Sequence, residues 1–137
     1  MIGILIVSHG TFGEALVHSA SHVLGKRPPQ VRHMGVGLHD DPDKILPQAR
    51  ALLRELDSGS GVLVLTDMLG ATPSNIATKL LEPGRVEGLA GASLPMLIRA
   101  LTYRDEPLAA VIDKAMSGGH EGVVHLTNDV CNGANRS

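Results

Sequence analysis

Two polar residues close two apolar runs in this chain, and they are the first candidates for chemistry. His9 follows Ile2-Gly-Ile-Leu-Ile-Val-Ser, and Asp67 follows Val62-Leu-Val-Leu-Thr. Each is succeeded by a glycine-containing turn: Gly10-Thr-Phe-Gly-Glu14 after the histidine and Met68-Leu-Gly-Ala-Thr-Pro-Ser-Asn75 after the aspartate. An apolar strand that ends in a histidine and turns into a helix sets an imidazole at the carboxyl edge of a sheet, where open α/β folds bind ligands. A helix N-terminus beside it, with unpaired N–H groups and the positive end of the dipole, suits a histidine that carries phosphate.

Taken singly, each residue has a plainer reading. His9 reads as a strand-end side chain satisfied by a carbonyl, and Asp67 as a turn residue. Their repetition in the same setting favours a pair. If the two strands are neighbours with their following helices on opposite faces, ring and carboxylate meet at the mouth of a crevice. The carboxylate would then fix the tautomer, leave the other ring nitrogen a free lone pair, and offset the positive charge of a phosphorylated ring. N–H groups at Gly10, Thr11, Gly70 and Thr72, with the Thr72 hydroxyl, are the expected phosphoryl-oxygen ligands.

The remaining histidines carry less. His18 and His22 have metal-ligand spacing on one helix face, but no third ligand is evident and a solvent-facing role is favoured. His33 reads as a strand-surface residue. His39, Asp40 and Asp41 lie at the carboxyl end of the second strand, near the expected crevice, and are expected to border a docking surface. His120 and His125 have no chemical partner nearby in sequence. Cys131 has no basic neighbour to activate it and reads as an incidental thiol. No metal site and no cofactor is assigned.

The elements that must position these residues follow from periodicity. Strand-like runs span Ile2–Ser8, Val31–Leu38, Val62–Asp67, Val86–Ala92 and Gly122–Leu126. The first helix, Phe12–Leu24, opens on Thr11-x-x-Glu14, a capping box, and would turn Phe12, Leu16, Ala20 and Val23 inward. Ile45–Leu56 forms a second helix entered through Asp40-Asp-Pro-Asp43, with Pro47 expected in its first turn or shifting its start. Thr72 as N-cap and Pro73 open the third, with Ile76, Ala77 and Leu80 inward. Pro95–Tyr103 and Glu106–Met116 supply two more, the latter ended by Gly118-Gly119. This order predicts an open, mostly parallel, doubly wound α/β sheet with helices on both faces and a fifth, C-terminal strand.

Composition agrees. With 137 residues the chain is one domain, 1–127, followed by an Asn/Gly/Ser-rich tail, 128–137. Apolar residues make up 43 % but include only one Phe and one Tyr, so the core must be aliphatic, as under a parallel sheet. Net charge is −2, with no basic block and little aromatic stacking surface, which argues against nucleic acid. The Met1–Val7 run has no basic leader and is too short to span a membrane. The single cysteine fits a reducing cytoplasm.

The segments Gly3-Ile-Leu-Ile-Val-Ser-His9-Gly-x-x-Gly-Glu-Ala-Leu16 and Val64-Leu-Thr-Asp67-Met-Leu-Gly-Ala-Thr-Pro-Ser-Asn75 closely resemble the enzyme IIA component of the mannose family of the bacterial phosphotransferase system. The likeness extends over about the first 125 residues. It implies a cytoplasmic phosphocarrier with an antiparallel C-terminal strand, often exchanged across a homodimer. The family's phosphorylated histidine falls on His9, its orienting aspartate on Asp67, and Thr72 stands where serine is common. It further implies phosphate arriving from the phosphohistidine of HPr and leaving to a IIB partner that serves a membrane permease, or use of the phosphorylated state for regulation. On this reading Leu38, Leu69, Leu94 and Met96, all near strand ends, would form a weak, transient docking face.

Rival readings make different demands. A histidine phosphatase or mutase needs an arginine just before the histidine, where this chain has Ser8. A tetrapyrrole metal chelatase, whose first strand also ends in His-Gly, needs more ligands or a large apolar pocket. A non-catalytic regulatory module shares the His9 chemistry and differs in output, as does the phosphoryl-donor subunit of a dihydroxyacetone kinase.

Overall fold

The computed structural model describes residues 1–127; the predicted tail, with Cys131, lies outside them. Four strands form the sheet: β1 (Gly3–His9), β2 (Val31–Val36), β3 (Val62–Thr66) and β4 (Val86–Ala90). All pair in parallel in the order β2-β1-β3-β4, so the chain winds outward from β1 in both directions. Helices α1 (Phe12–Leu24), α4 (Leu94–Thr102) and α5 (Leu108–Glu121) cover one face. Helices α2 (Pro42–Leu56) and α3 (Thr72–Leu80) cover the other. This is the predicted doubly wound sheet, with its switch point between β1 and β3.

Central β1 is buried on both sides, as a continuous aliphatic run must be in a covered parallel sheet. Ile4 and Ile6 pack under α1, α4 and α5, while Leu5 and Val7 pack against α2 and α3. Each such side chain contributes roughly 1.5–3 kcal/mol of burial. The foot of the sheet is closed by Arg104, only 6 % exposed. Its guanidinium donates to the Ile2, Pro29 and Gln30 carbonyls at 2.6–3.1 Å, so desolvation, which lowers its pKa, is matched by three acceptors.

Several expectations require correction. Helix α1 turns Gly13, Leu16, Val17 and Ala20 inward; Phe12 and Val23 are exposed. Helix α2 starts at Pro42, three residues before Ile45, capped by the Asp41 side chain accepting from the Asp43 N–H at 3.0 Å. Pro47 therefore sits in the helix interior rather than the first turn. Helix α5 runs through Gly118-Gly119 instead of ending there. A Cβ at 118 would meet the Arg99 Cβ at 2.7 Å, and one at 119 the Met96 Cε at 2.9 Å. These glycines thus let α5 lie close on α4. Residues 122–126 form no strand in the structure, and among the described residues β4 is a sheet edge.

Candidate functional site

Register delivers the predicted pair. Val7 pairs with Thr66 across the β1–β3 ladder, so His9 and Asp67 emerge side by side at its carboxyl end. The His9 Nδ1 lies 2.7 Å from Asp67 Oδ2, and the His9 backbone N–H donates to the same oxygen at 3.0 Å. The other oxygen, Oδ1, accepts from the Met68 N–H at 3.1 Å and faces the Thr66 hydroxyl at 3.5 Å. Burial pushes the Asp67 pKa up, but these hydrogen bonds and the His9 ring outweigh it, and the carboxyl is held below its ordinary value. The side chain of Asp67 is 14 % exposed and that of His9 is 51 % exposed. With Nδ1 committed to the carboxylate, Nε2 is the ring nitrogen left for chemistry.

The turn that follows His9 is shaped by its neighbour strand. Gly10 adopts φ +48° and donates its N–H to the Val36 carbonyl at 3.1 Å. Its carbonyl lies over Gly35, where a Cβ would stand only 2.1 Å from that oxygen. A side chain at 35 would therefore displace the turn that aims the ring.

The predicted phosphate ligands divide. Thr11 is at the N-cap position of α1 but makes no side-chain cap, because its φ −98°, ψ 10° is not the extended geometry that a cap needs. Fully buried Ser8 does that work instead, its Oγ accepting from the Gly13 N–H at 2.9 Å. Thr72 is the first residue of α3 rather than its cap; Ala71 holds the cap position. The Gly10 N–H is engaged by Val36 and the Gly70 N–H by Ser74 Oγ at 3.0 Å. The two threonines, both exposed at the starts of helices that flank the crevice, are therefore better placed for a ligand than the two glycines.

The four expected docking residues separate in the same way. Leu38 and Leu69 are 98 % and 80 % exposed. Met96 is 5 % exposed, turned into the core by α4, and Leu94 is partly buried against the same cluster, so neither extends that face. Asp40 pins the turn after β2 by accepting from the Gly37 N–H at 2.7 Å. His18 and His22 meet edge to face, ring centroids 5.0 Å apart, and no group of three metal-ligating side chains forms among the described residues.

Sequence reasoning missed Ser8, Ser74 and Gly35. The first two are polar residues buried beside the site, and the third faces Ser8 in the β1–β2 register. A hydroxyl on the last buried position of an apolar strand was the available signal for Ser8.

Comparison with known proteins gives a consistent result. The family described as "PTS system fructose IIA component" matches residues 3–116. The mannose-specific EIIAB component of Escherichia coli K12 is 30 % identical over 128 residues, covering 91 % of this chain. The chain spans 39 % of that relative's length. The fructose-specific EIIA component of Bacillus subtilis is 29 % identical over 109 residues, 77 % of this chain and 72 % of that protein. A crystal structure of a phosphotransferase system EIIA from Streptococcus agalactiae superposes with a TM-score of 0.79 at 30 % identity, covering 93 % of this chain and 98 % of that one. No helix among the described residues is long and apolar enough to cross a membrane.

Proposed function

The chain belongs to the fructose/mannose IIA family of the sugar phosphotransferase system, and on that premise we propose that it is a cytoplasmic phosphocarrier charged on His9. The carrying observation is the 2.7 Å contact between His9 Nδ1 and Asp67 Oδ2 beneath a half-exposed ring. The Nε2 lone pair attacks the phosphorus of a phosphohistidine on HPr. The new P–N bond forms as the donor's P–N bond breaks, and the donor imidazole leaves with that electron pair. The proton on Nδ1 stays shared with Asp67, whose charge offsets the imidazolium that His9 becomes. The Thr11 and Thr72 hydroxyls and the two helix N-termini receive the phosphoryl oxygens. Onward transfer to a IIB-type partner, itself serving a permease, reverses the same step; a regulatory output would use the same chemistry without it.

Exposed Leu38 and Leu69, in the turns after β2 and β3, supply a small apolar docking face suited to a transient partner. Strand β4, a sheet edge among the described residues, suits a homodimer in which a second copy covers it. A phosphatase reading lacks support, since Ser8 stands where an arginine would be needed and its hydroxyl already holds α1. Family membership likewise favours relay over tetrapyrrole chelation.

Incubation with enzyme I, HPr and labelled phosphoenolpyruvate tests the proposal. The expected label is acid-labile and base-stable and disappears in His9→Ala; label that persists in His9→Ala reassigns the site. Sedimentation as a monomer at micromolar concentration would contradict the dimer.

A further inference from the structure

Outside the His9 site, a concentrated set of ionisable groups lies along α1 and the turn that follows it. Two adjoining open grooves share His18 and Arg27. One is also lined by Glu14 and His33, the other by His22 and Lys26. His33 reaches this face from β2, where its Cβ lies 3.1 Å from the point at which Gly13 would carry one. Ion pairs elsewhere join Arg32 to Glu55, Arg85 to Asp57 and Arg99 to Glu121, whereas Lys26 and Arg27 join none among the described residues. Within these two grooves two cations without an ion pair and three imidazoles thus face a single carboxylate, while Asp105 lines a neighbouring groove with Lys26, in a chain whose net charge is −2. That asymmetry is local and directional.

We infer that this face of α1 docks an acidic segment of a partner protein, reached through the contiguous groove from Thr11 to Lys26 and Arg27. Extent argues for a segment over a single small anion. Glu14 and His22 alone are roughly 12 Å apart along the helix at 1.5 Å per residue. A run of about four extended residues spans that distance at ~3.3 Å each. The side chains involved are mostly exposed and offer no enclosed cradle for one phosphate. Long-range attraction between this face and an acidic segment should be strongest at low salt, where screening is least.

The test reads binding alone and so stands apart from phosphoryl transfer. A rhodamine-labelled octaglutamate peptide is titrated with the full chain at 20 mM salt, followed by fluorescence anisotropy. The native chain should bind the peptide at pH 7.0, and raising the salt to 200 mM should weaken binding at least threefold. Lys26→Glu/Arg27→Glu should weaken binding at least tenfold with an unchanged circular dichroism spectrum. Binding that survives the double charge reversal would overturn the inference. So would displacement of the peptide by 5 mM inorganic phosphate, which would mark a small-anion site, or tighter binding of an oligothymidylate of equal charge.

Discussion

Asp67→Asn separates the charge at the site from its shape. An amide oxygen in place of Oδ2 still accepts from the His9 N–H and ring, now at 3.0 and 2.7 Å. What disappears is the negative charge opposite a ring that becomes an imidazolium on phosphorylation. Hydrogen bonds to charged groups are worth about 1.5–3 kcal/mol against about 0.5–1.5 for neutral ones, a difference of about 1–2 kcal/mol. Because His9 is half-exposed, solvent screening trims the upper end. At about 1.4 kcal/mol per decade, single-turnover transfer from phosphorylated HPr should slow by about 5- to 10-fold. Rapid-quench measurement at pH 7 reads this directly. The lowered Asp67 pKa adds a sign: the carboxylate helps at every pH above its depressed value and is lost only as pH falls through it. Transfer by Asp67→Asn within twofold of the native chain would refute the argument, because the pair would then be structural and not electrostatic.

Arg104→Met should lower stability by about 2–4 kcal/mol in urea titration, since the Ile2 and Pro29 carbonyls lose their donor while the Gln30 carbonyl keeps the Ile4 N–H; a loss under 1 kcal/mol would show water replacing it freely. Asp57 accepts from the Gly59 and Gly61 N–H groups and pairs with Arg85 at 2.8 Å, and the Gly59 bond leads in holding its pKa down. Its contribution is therefore present above the ordinary carboxylate range and lost as pH falls through the depressed value, so Asp57→Asn should narrow the stability difference between pH 6 and pH 3 in thermal melts. Leu69→Asp should slow transfer from HPr about tenfold while shifting stability by less than ~0.5 kcal/mol, as expected for a residue 80 % exposed. Unchanged transfer would discard the docking role of Leu69.

The four strands and the His9–Asp67 meeting were legible because strand ends and parallel register follow directly from where apolar runs stop. Helix caps were not. Whether Thr11 or Ser8 takes the α1 N–H groups depends on the backbone angles of a turn that also has to clear Gly35, and neither the angles nor the cross-strand approach is written in a local motif. Helical rotation was the second blind spot. Met96 follows a strand end in sequence, yet α4 turns it under the sheet, whereas Leu38 and Leu69 stay in turns and remain exposed. Gly118-Gly119 looked like a stop signal; against Arg99 and Met96 it is a packing surface that carries α5 onward.

Arg104 also bears on the order in which the molecule is made. Its guanidinium reaches the Ile2 carbonyl across 102 positions of sequence. A ribosome releases β1 first, but the amino-terminal end of that strand stays open until the fourth helix has followed it out. Parallel sheets already fold slowly because their pairings are distant along the chain. Here the clasp spans 102 positions, so the foot of the sheet closes only once the chain through Arg104 has cleared the exit tunnel.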